Sequence, residues 1–184
     1  NNNKYHYKGY THEVLVTPPA SNLAYQRIRI SDMQDGGCKK NKLKRDIKLL
    51  KEAISDFPLE IRNYFYIANT YFSLWDLDNA IKYYEKRINM GGWSEELWYS
   101  YYRLSQIYFA KKDYALGVVN ALEAYNLNPN RLENIFIIYN FYQQRGLTHV
   151  ANIYRRILSE KKNVEYDNFL FANKIIYQKI SRDF

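Results

Sequence analysis

Large apolar residues spaced three and four positions apart recur between residues 64 and 158, and their arrangement appears three times. One tyrosine marks the same point in each copy, and these tyrosines lie 37 and then 34 residues apart. Residues at this spacing share one face of a helix, and a small residue shortly after each tyrosine lets a second helix approach closely. Each copy therefore predicts a pair of packed helices. The tyrosines are Tyr71, Tyr108 and Tyr142, and the small residues are Ala80, Gly117 and Ala151.

The repeated pattern resembles the tetratricopeptide repeat, a helical hairpin of about 34 residues. A single hairpin cannot bury its apolar stripe, whereas stacked hairpins bury it and form a superhelix with a concave face. The resemblance implies an all-α superhelix of about three hairpins, preceded by a short β or irregular N-terminal arm. An irregular helical bundle with aromatic core stripes is the alternative. We expect helices at about 59–75, 77–90, 93–111, 113–127, 131–145 and 147–161.

Changes in composition divide the chain into three parts. Residues 1–42 form the arm, in which Tyr5 to Val16 is typical of a strand that stops before a proline turn, and Arg27 to Ile30 of a second short strand. A capping segment, helical or irregular, follows the repeats at 164–184. The repeats are predicted over 43–163, with a half repeat at 43–57 and full repeats at 59–91, 93–129 and 131–162.

Short polar residues and glycines mark the expected ends of helices. Asp78 is predicted to be the N-cap of the helix that carries Ala80, and Ser94 the N-cap of the next helix. Met90-Gly91-Gly92 between them predicts a glycine C-cap.

The net charge of the 184 residues is +8, which favours acidic partners. Part of this charge is concentrated from Lys39 to Lys51, which we interpret first as a solvated helix entry and second as a phosphate site. The single cysteine, Cys38, can form no internal disulfide and suits a reducing compartment. No stretch approaches the roughly 18 consecutive apolar residues of a membrane span. We therefore expect no membrane span and a cytoplasmic location.

Four further motifs stand in order along the chain. They are an aromatic-basic-Gly-x-x-His-Glu stretch at Tyr7 to Glu13, a turn at Asp35-Gly36-Gly37, a Lys-x-x-Arg-Asp-x-x-Leu-Leu helix at Lys42 to Leu50, and the stretch Arg87 to Glu96. This order is similar to the junction between the catalytic domain and the repeats in family 2 glycosyltransferases that carry C-terminal tetratricopeptide repeats.

The glycosyltransferase resemblance implies a larger parent enzyme that uses a nucleotide-sugar and a divalent metal, Mn or Mg. His12 matches the histidine that many such enzymes place on the metal, and neutral imidazole is a common metal ligand. An ordinary polar histidine on a strand is the alternative. The nucleotide site and the metal-binding Asp-x-Asp would lie upstream of Asn1, because Asp76-Leu77-Asp78 falls at a helix turn. By itself the chain should hold no cofactor and transfer no sugar.

Certain positions on the first helix of each hairpin face the groove of a tetratricopeptide domain. An amide stands two positions before each repeated tyrosine, and an amide can both donate to and accept from an extended peptide backbone. The alternative is that these amides are only solvated, or are covered by the segment after Tyr166. The amides are Asn69, Gln106 and Asn140; the residues just after the tyrosines are Phe72, Phe109 and Gln143; and the expected apolar or stacking contacts are Phe65, Tyr102 and Phe136.

Three functions are consistent with these patterns. The first is the C-terminal repeat region of a glycosyltransferase, which binds a protein acceptor in its groove or pairs subunits by self-association. The second is a free-standing repeat scaffold that binds a peptide or protein. The third is a basic repeat protein that binds nucleic acid, which is disfavoured because the tyrosines that could stack on bases are used in helix packing.

Overall fold

A computed structural model describes residues 6–11, 14–16 and 41–184. His12, Arg27 to Ile30 and Asp35 to Gly37 lie outside the described residues, so the inferences made on them stay predictions. The described part of the chain contains two short strands and eight helices. They are β1 (His6–Lys8), β2 (Val14–Val16), α1 (Lys42–Asp56), α2 (Ile61–Ser73), α3 (Leu77–Asn89), α4 (Ser94–Ala110), α5 (Tyr114–Leu127), α6 (Glu133–Gln144), α7 (Thr148–Glu160) and α8 (Lys174–Asp183).

The helices pack against their neighbours in chain order. Three hairpins, α2 with α3, α4 with α5 and α6 with α7, follow one another, while α1 packs on α2 and α8 packs on α6 and α7. The all-α repeat superhelix predicted from the sequence is therefore confirmed. None of the helices in the described ranges is long and apolar enough to cross a membrane.

Two of the three repeated tyrosines, Tyr71 and Tyr142, lie between the two helices of their hairpins, as predicted. Tyr71 stacks on Tyr83 with ring centroids 5.5 Å apart, and Tyr142 stacks on Tyr154 at 5.8 Å. Tyr108 instead directs its hydroxyl to Glu85 of the preceding hairpin. Each tyrosine thus packs its own helix against a helix on the other side of the core. The small residues Ala80, Gly117 and Ala151 are all buried, and the Phe109 ring packs directly on Gly117.

The turn inside each hairpin repeats the same backbone geometry. A residue in the left-handed region ends each first helix, and these residues keep the spacing of the tyrosines: Trp75, Lys112 and Gly146. In the first two hairpins an aspartate then caps the second helix, because the Asp76 side chain accepts from the Asn79 N–H and the Asp113 side chain from the Leu116 N–H.

Two predicted N-caps were wrong by one or two residues. Asp76, not Asp78, caps α3, and Asp78 lies in the first turn of that helix. Ser94 is the first residue of α4, and Trp93 precedes it without a side-chain cap. The glycine C-cap of α3 is confirmed, since Gly91 has a φ of 67° and follows the last turn directly.

The described part of the arm is a hairpin rather than the single strand expected over Tyr5 to Val16. β1 and β2 pair antiparallel, with His6 opposite Val16 and Lys8 opposite Val14. The chain reverses after Gly9, whose φ of 128° is readily adopted only by glycine. Tyr10 then donates a hydrogen bond to Asp56, so the arm packs against the end of α1.

A buried ion pair joins the first hairpin to the second. Arg87 of α3 is fully buried and its guanidinium lies 3.0 Å from Glu96 of α4. Arg87 also donates to the Gly91 and Trp93 carbonyls, so its side chain fixes the turn between the two helices. Half-exposed Arg62 reaches the other oxygen of Glu96 at 3.2 Å. The Arg87 to Glu96 motif therefore has a structural role.

Replacing Arg87 with alanine should lower the free energy of unfolding by about 3 kcal/mol or more, because the Glu96 carboxylate stays buried without its closest charge partner. Urea denaturation followed by circular dichroism measures the change. Lys86→Ala is the control, since Lys86 is exposed on the same turn and should change stability by less than about 0.5 kcal/mol. Equal effects of the two substitutions would contradict the role given to Arg87.

Candidate partner-binding groove

The first helices of the three hairpins, α2, α4 and α6, line the groove and carry all nine residues predicted for it. Each helix contributes one aromatic ring, one amide and one residue after the repeated tyrosine. The structure places these residues in four situations: buried, bonded within the chain, lining a cavity, or exposed. Whether they bind a partner stays a prediction.

The three aromatic residues expected to offer open contacts are buried instead. Phe65, Tyr102 and Phe136 are only 1%, 4% and 7% exposed. The C-terminal segment covers part of this row, because Phe171 lies parallel to Phe65 at 6.4 Å and Phe184 meets Phe136 edge-on at 6.3 Å. The chain itself therefore occupies these contacts, which was one of the alternatives left open by the sequence.

The three amides differ in how much of their bonding capacity is used. The Asn69 carbonyl oxygen accepts from the Tyr84 hydroxyl at 2.6 Å, and the Gln106 oxygen accepts from Arg103 at 2.8 Å. The NH₂ groups of both amides make no hydrogen bond to another described side chain or carbonyl. Asn140 makes no side-chain hydrogen bond within the described part of the chain. Each amide thus retains at least its donors for a ligand.

A cavity of about 450 Å³, here named the α2 cavity, opens beside the amide of Asn69. The Arg103 guanidinium lies over the Phe72 ring at 4.4 Å and over the Tyr99 ring at 4.8 Å, so the wall combines a cation with aromatic faces. The residues that line the cavity include Lys42, Asp46, Asn69, Phe72, Arg103 and Phe171.

A second cavity of about 480 Å³, the α6 cavity, lies near the other end of the groove. Asn140 lines it together with Phe109, whose ring packs on Phe141 at 4.9 Å. The Arg145 guanidinium covers the Phe141 ring at 4.4 Å. Gln143 is exposed beyond this cavity. The groove therefore has one open cavity toward each end and an occupied middle.

A buried network of one arginine and two glutamates lies under the middle of the groove. Arg131 is fully buried, with one nitrogen 2.8 Å from Glu95 of α4 and another 3.0 Å from Glu133 of α6. Its guanidinium also stacks on the Trp98 ring, 3.5 Å from the ring centroid. The network joins the second hairpin to the third.

The same two glutamates hold the C-terminal segment. The Leu170 N–H donates to Glu95 at 3.0 Å, and the Tyr177 hydroxyl donates to Glu133 at 2.7 Å. The Tyr177 oxygen also accepts from the Leu132 N–H at 3.2 Å. Burial and the nearby Glu133 carboxylate raise the pKa of the Tyr177 hydroxyl well above its usual 10, so it stays a donor at neutral pH.

The sequence patterns do not predict this network. Arg131 and Glu133 belong to no predicted motif, and Glu95 lies only within the Arg87 to Glu96 stretch. The available signal was the position of charged residues at the starts of α4 and α6, immediately before strongly apolar turns. No group of three His, Cys, Asp or Glu side chains in the described residues could hold a metal ion.

Replacing Tyr177 with phenylalanine should lower the free energy of unfolding by about 1 to 3 kcal/mol, because Glu133 and the Leu132 N–H each lose a buried hydrogen-bond partner. Because the pKa of Tyr177 is raised in the folded chain, the difference in free energy of unfolding between the wild-type chain and the variant should depend on pH. The difference should be constant below about pH 10. It should shrink above pH 10, since ionisation of the tyrosine in the unfolded chain then lowers the stability of the wild type and not of the variant.

Chemical denaturation across this pH range measures both effects. Tyr166→Phe is the control, because Tyr166 stacks on Tyr177 at 4.3 Å and its hydroxyl makes no hydrogen bond among the described residues. A difference between wild type and Tyr177→Phe that stays constant to high pH would contradict the hydrogen bonding assigned to Tyr177.

Comparison with known proteins agrees with this architecture. A family model of the tetratricopeptide repeat matches residues 61–90 and 99–131. A solved structure titled "Crystal structure of MamA" is 16% identical with a TM-score of 0.56, over 84% of this chain and 95% of its own. Another, "Crystal structure of MamA protein", is 17% identical with a TM-score of 0.54, over 78% of this chain and 85% of its own. No curated protein sequence matches the chain. The chain therefore contains tetratricopeptide repeats and shares the fold of these two structures.

Proposed function

We propose that this chain is a tetratricopeptide-repeat scaffold that binds an extended segment of a protein partner in its groove. The observation that carries the proposal is the groove itself, which holds a non-helical segment of the chain in its middle and has the α2 cavity open beside it. Stacked helical repeats form extended concave surfaces that bind other molecules, and we therefore assign the groove to recognition.

The chemistry of the α2 cavity suits a peptide. The NH₂ group of Asn69 can donate to a peptide carbonyl, and the half-buried Phe72 ring, which lines the cavity together with Tyr99, can take an apolar side chain. Arg103 adds a positive charge beside these rings. One cavity thus offers a backbone contact, an apolar contact and a charge within reach of a single short segment.

The glycosyltransferase parent receives no support from the comparisons, and His12 lies outside the described residues. A free-standing scaffold therefore fits better, while a partner that is a sugar acceptor stays a prediction. Residues of α1 that carry positive charge, such as Lys44 and Lys48, are exposed as a solvated helix face would be. This arrangement does not favour nucleic acid over a protein.

Selection of random 12-residue peptides displayed on phage should yield peptides that bind the chain through the α2 cavity. Phe72→Ala should weaken the binding of a selected synthetic peptide about tenfold or more, because a buried phenylalanine contact contributes about 1.5 to 3 kcal/mol. Fluorescence anisotropy of the labelled peptide measures the affinity.

Val119→Ala is the matched control, since Val119 lies exposed on α5, away from the residues that line the α2 cavity. It should leave the affinity unchanged. Peptides whose binding is insensitive to Phe72→Ala but is lost in Val119→Ala would place recognition on the outer helices and refute a groove site.

A further inference from the structure

The middle of the groove is occupied by residues 163–173, which are most of the segment between α7 and α8. We propose that this segment occupies the groove as an internal ligand, which a protein partner must displace. The part of the partner that binds should then have side chains similar to those of the segment. The partner is then an extended segment that carries an aliphatic residue next to an aromatic one. This inference deepens the proposed function and rests on it.

The segment is anchored at both ends but held weakly in the middle. Tyr166 stacks on Tyr177, and Tyr177 and Ile180 of α8 are almost fully buried. In contrast, Phe171 is 57% exposed and Leu170 is half-buried. The middle can therefore leave the groove while α8 remains docked.

Release of the middle leaves no buried charge without a partner. The Leu170 N–H is bonded to Glu95, but the carboxylate also accepts from Arg131 at 2.8 Å and from the Asn128 side chain at 3.2 Å. These two bonds persist when Leu170 leaves. The released carboxylate position can then accept the backbone N–H of another extended segment, as it accepts that of Leu170.

The docked conformation is strained at one residue. Phe171 has a φ of 51°, in the left-handed region that side chains with a Cβ adopt at a cost. The strain allows its ring to stack on Phe65 and to meet Tyr99 at 5.2 Å. A partner in a regular extended conformation could fill the same place without this cost, which favours exchange.

The positions of Leu170 and Phe171 in the groove indicate that the partner carries an aliphatic residue next to an aromatic one. Leu170 packs against the cluster of Phe65, Trp98, Tyr99 and Tyr102. Phe171 lies at the rim of the α2 cavity and leaves part of that cavity empty. A partner with this pair could fill both places and extend into the cavity.

A labelled synthetic peptide of residues 163–173 tests the proposal in trans. It should bind the full chain carrying Leu170→Ser and Phe171→Ser at least tenfold more tightly than it binds the wild-type chain, because the resident segment then no longer competes. Leu170→Ala alone, a milder change, should give an intermediate gain. Circular dichroism verifies that both variants keep the helical fold.

Ile175→Ser is the matched control, since Ile175 is 76% exposed on α8 and its loss should not change the affinity. Equal affinity for the wild type and the double variant, or binding to neither, would overturn the inference. Selected phage peptides that depend on Phe72 would still support the proposed function in that case. If the 163–173 peptide binds only the double variant while no phage peptide depends on Phe72, self-occupancy stands and partner binding fails.

Discussion

Burial of the Arg131 guanidinium is the constraint on which the arrangement of the groove depends. A buried guanidinium is tolerated only when its charge is compensated, and Glu95 and Glu133 supply that compensation from two different hairpins. After pairing with Arg131, the two carboxylates can still accept further hydrogen bonds. The backbone N–H of Leu170 donates to Glu95 and the hydroxyl of Tyr177 donates to Glu133. One ion network therefore fixes both the stacking of the hairpins and the course of the C-terminal segment.

The repeat architecture could be predicted from the sequence because local spacing determines it. Tyr71 and Tyr142 pack within their hairpins, Tyr108 packs toward the preceding hairpin, and the left-handed turns recur at the same intervals. The N-caps were less predictable. Asp76 and Asp78 are both plausible caps in the sequence, and only the backbone geometry of the turn selects Asp76.

The state of the groove could not be predicted, because it depends on contacts between residues far apart in the chain. The repeat phase placed Phe65, Tyr102 and Phe136 on the first helices, but their burial results partly from Leu170, Phe171 and Phe184. No local sequence pattern predicts that residues 163–173, which lack helical periodicity, fold back onto the groove. In the sequence analysis, coverage of the groove amides by the segment after Tyr166 is only an alternative to partner binding.

Nuclear Overhauser effects between side-chain protons test whether residues 163–173 fill the middle of the groove in the free chain. We expect contacts from the Leu170 methyl groups to the rings of its surrounding cluster, and slow exchange of the Leu170 amide proton bonded to Glu95. Random-coil chemical shifts for Leu170 and Phe171, with no such contacts and with rapid amide exchange, would contradict it.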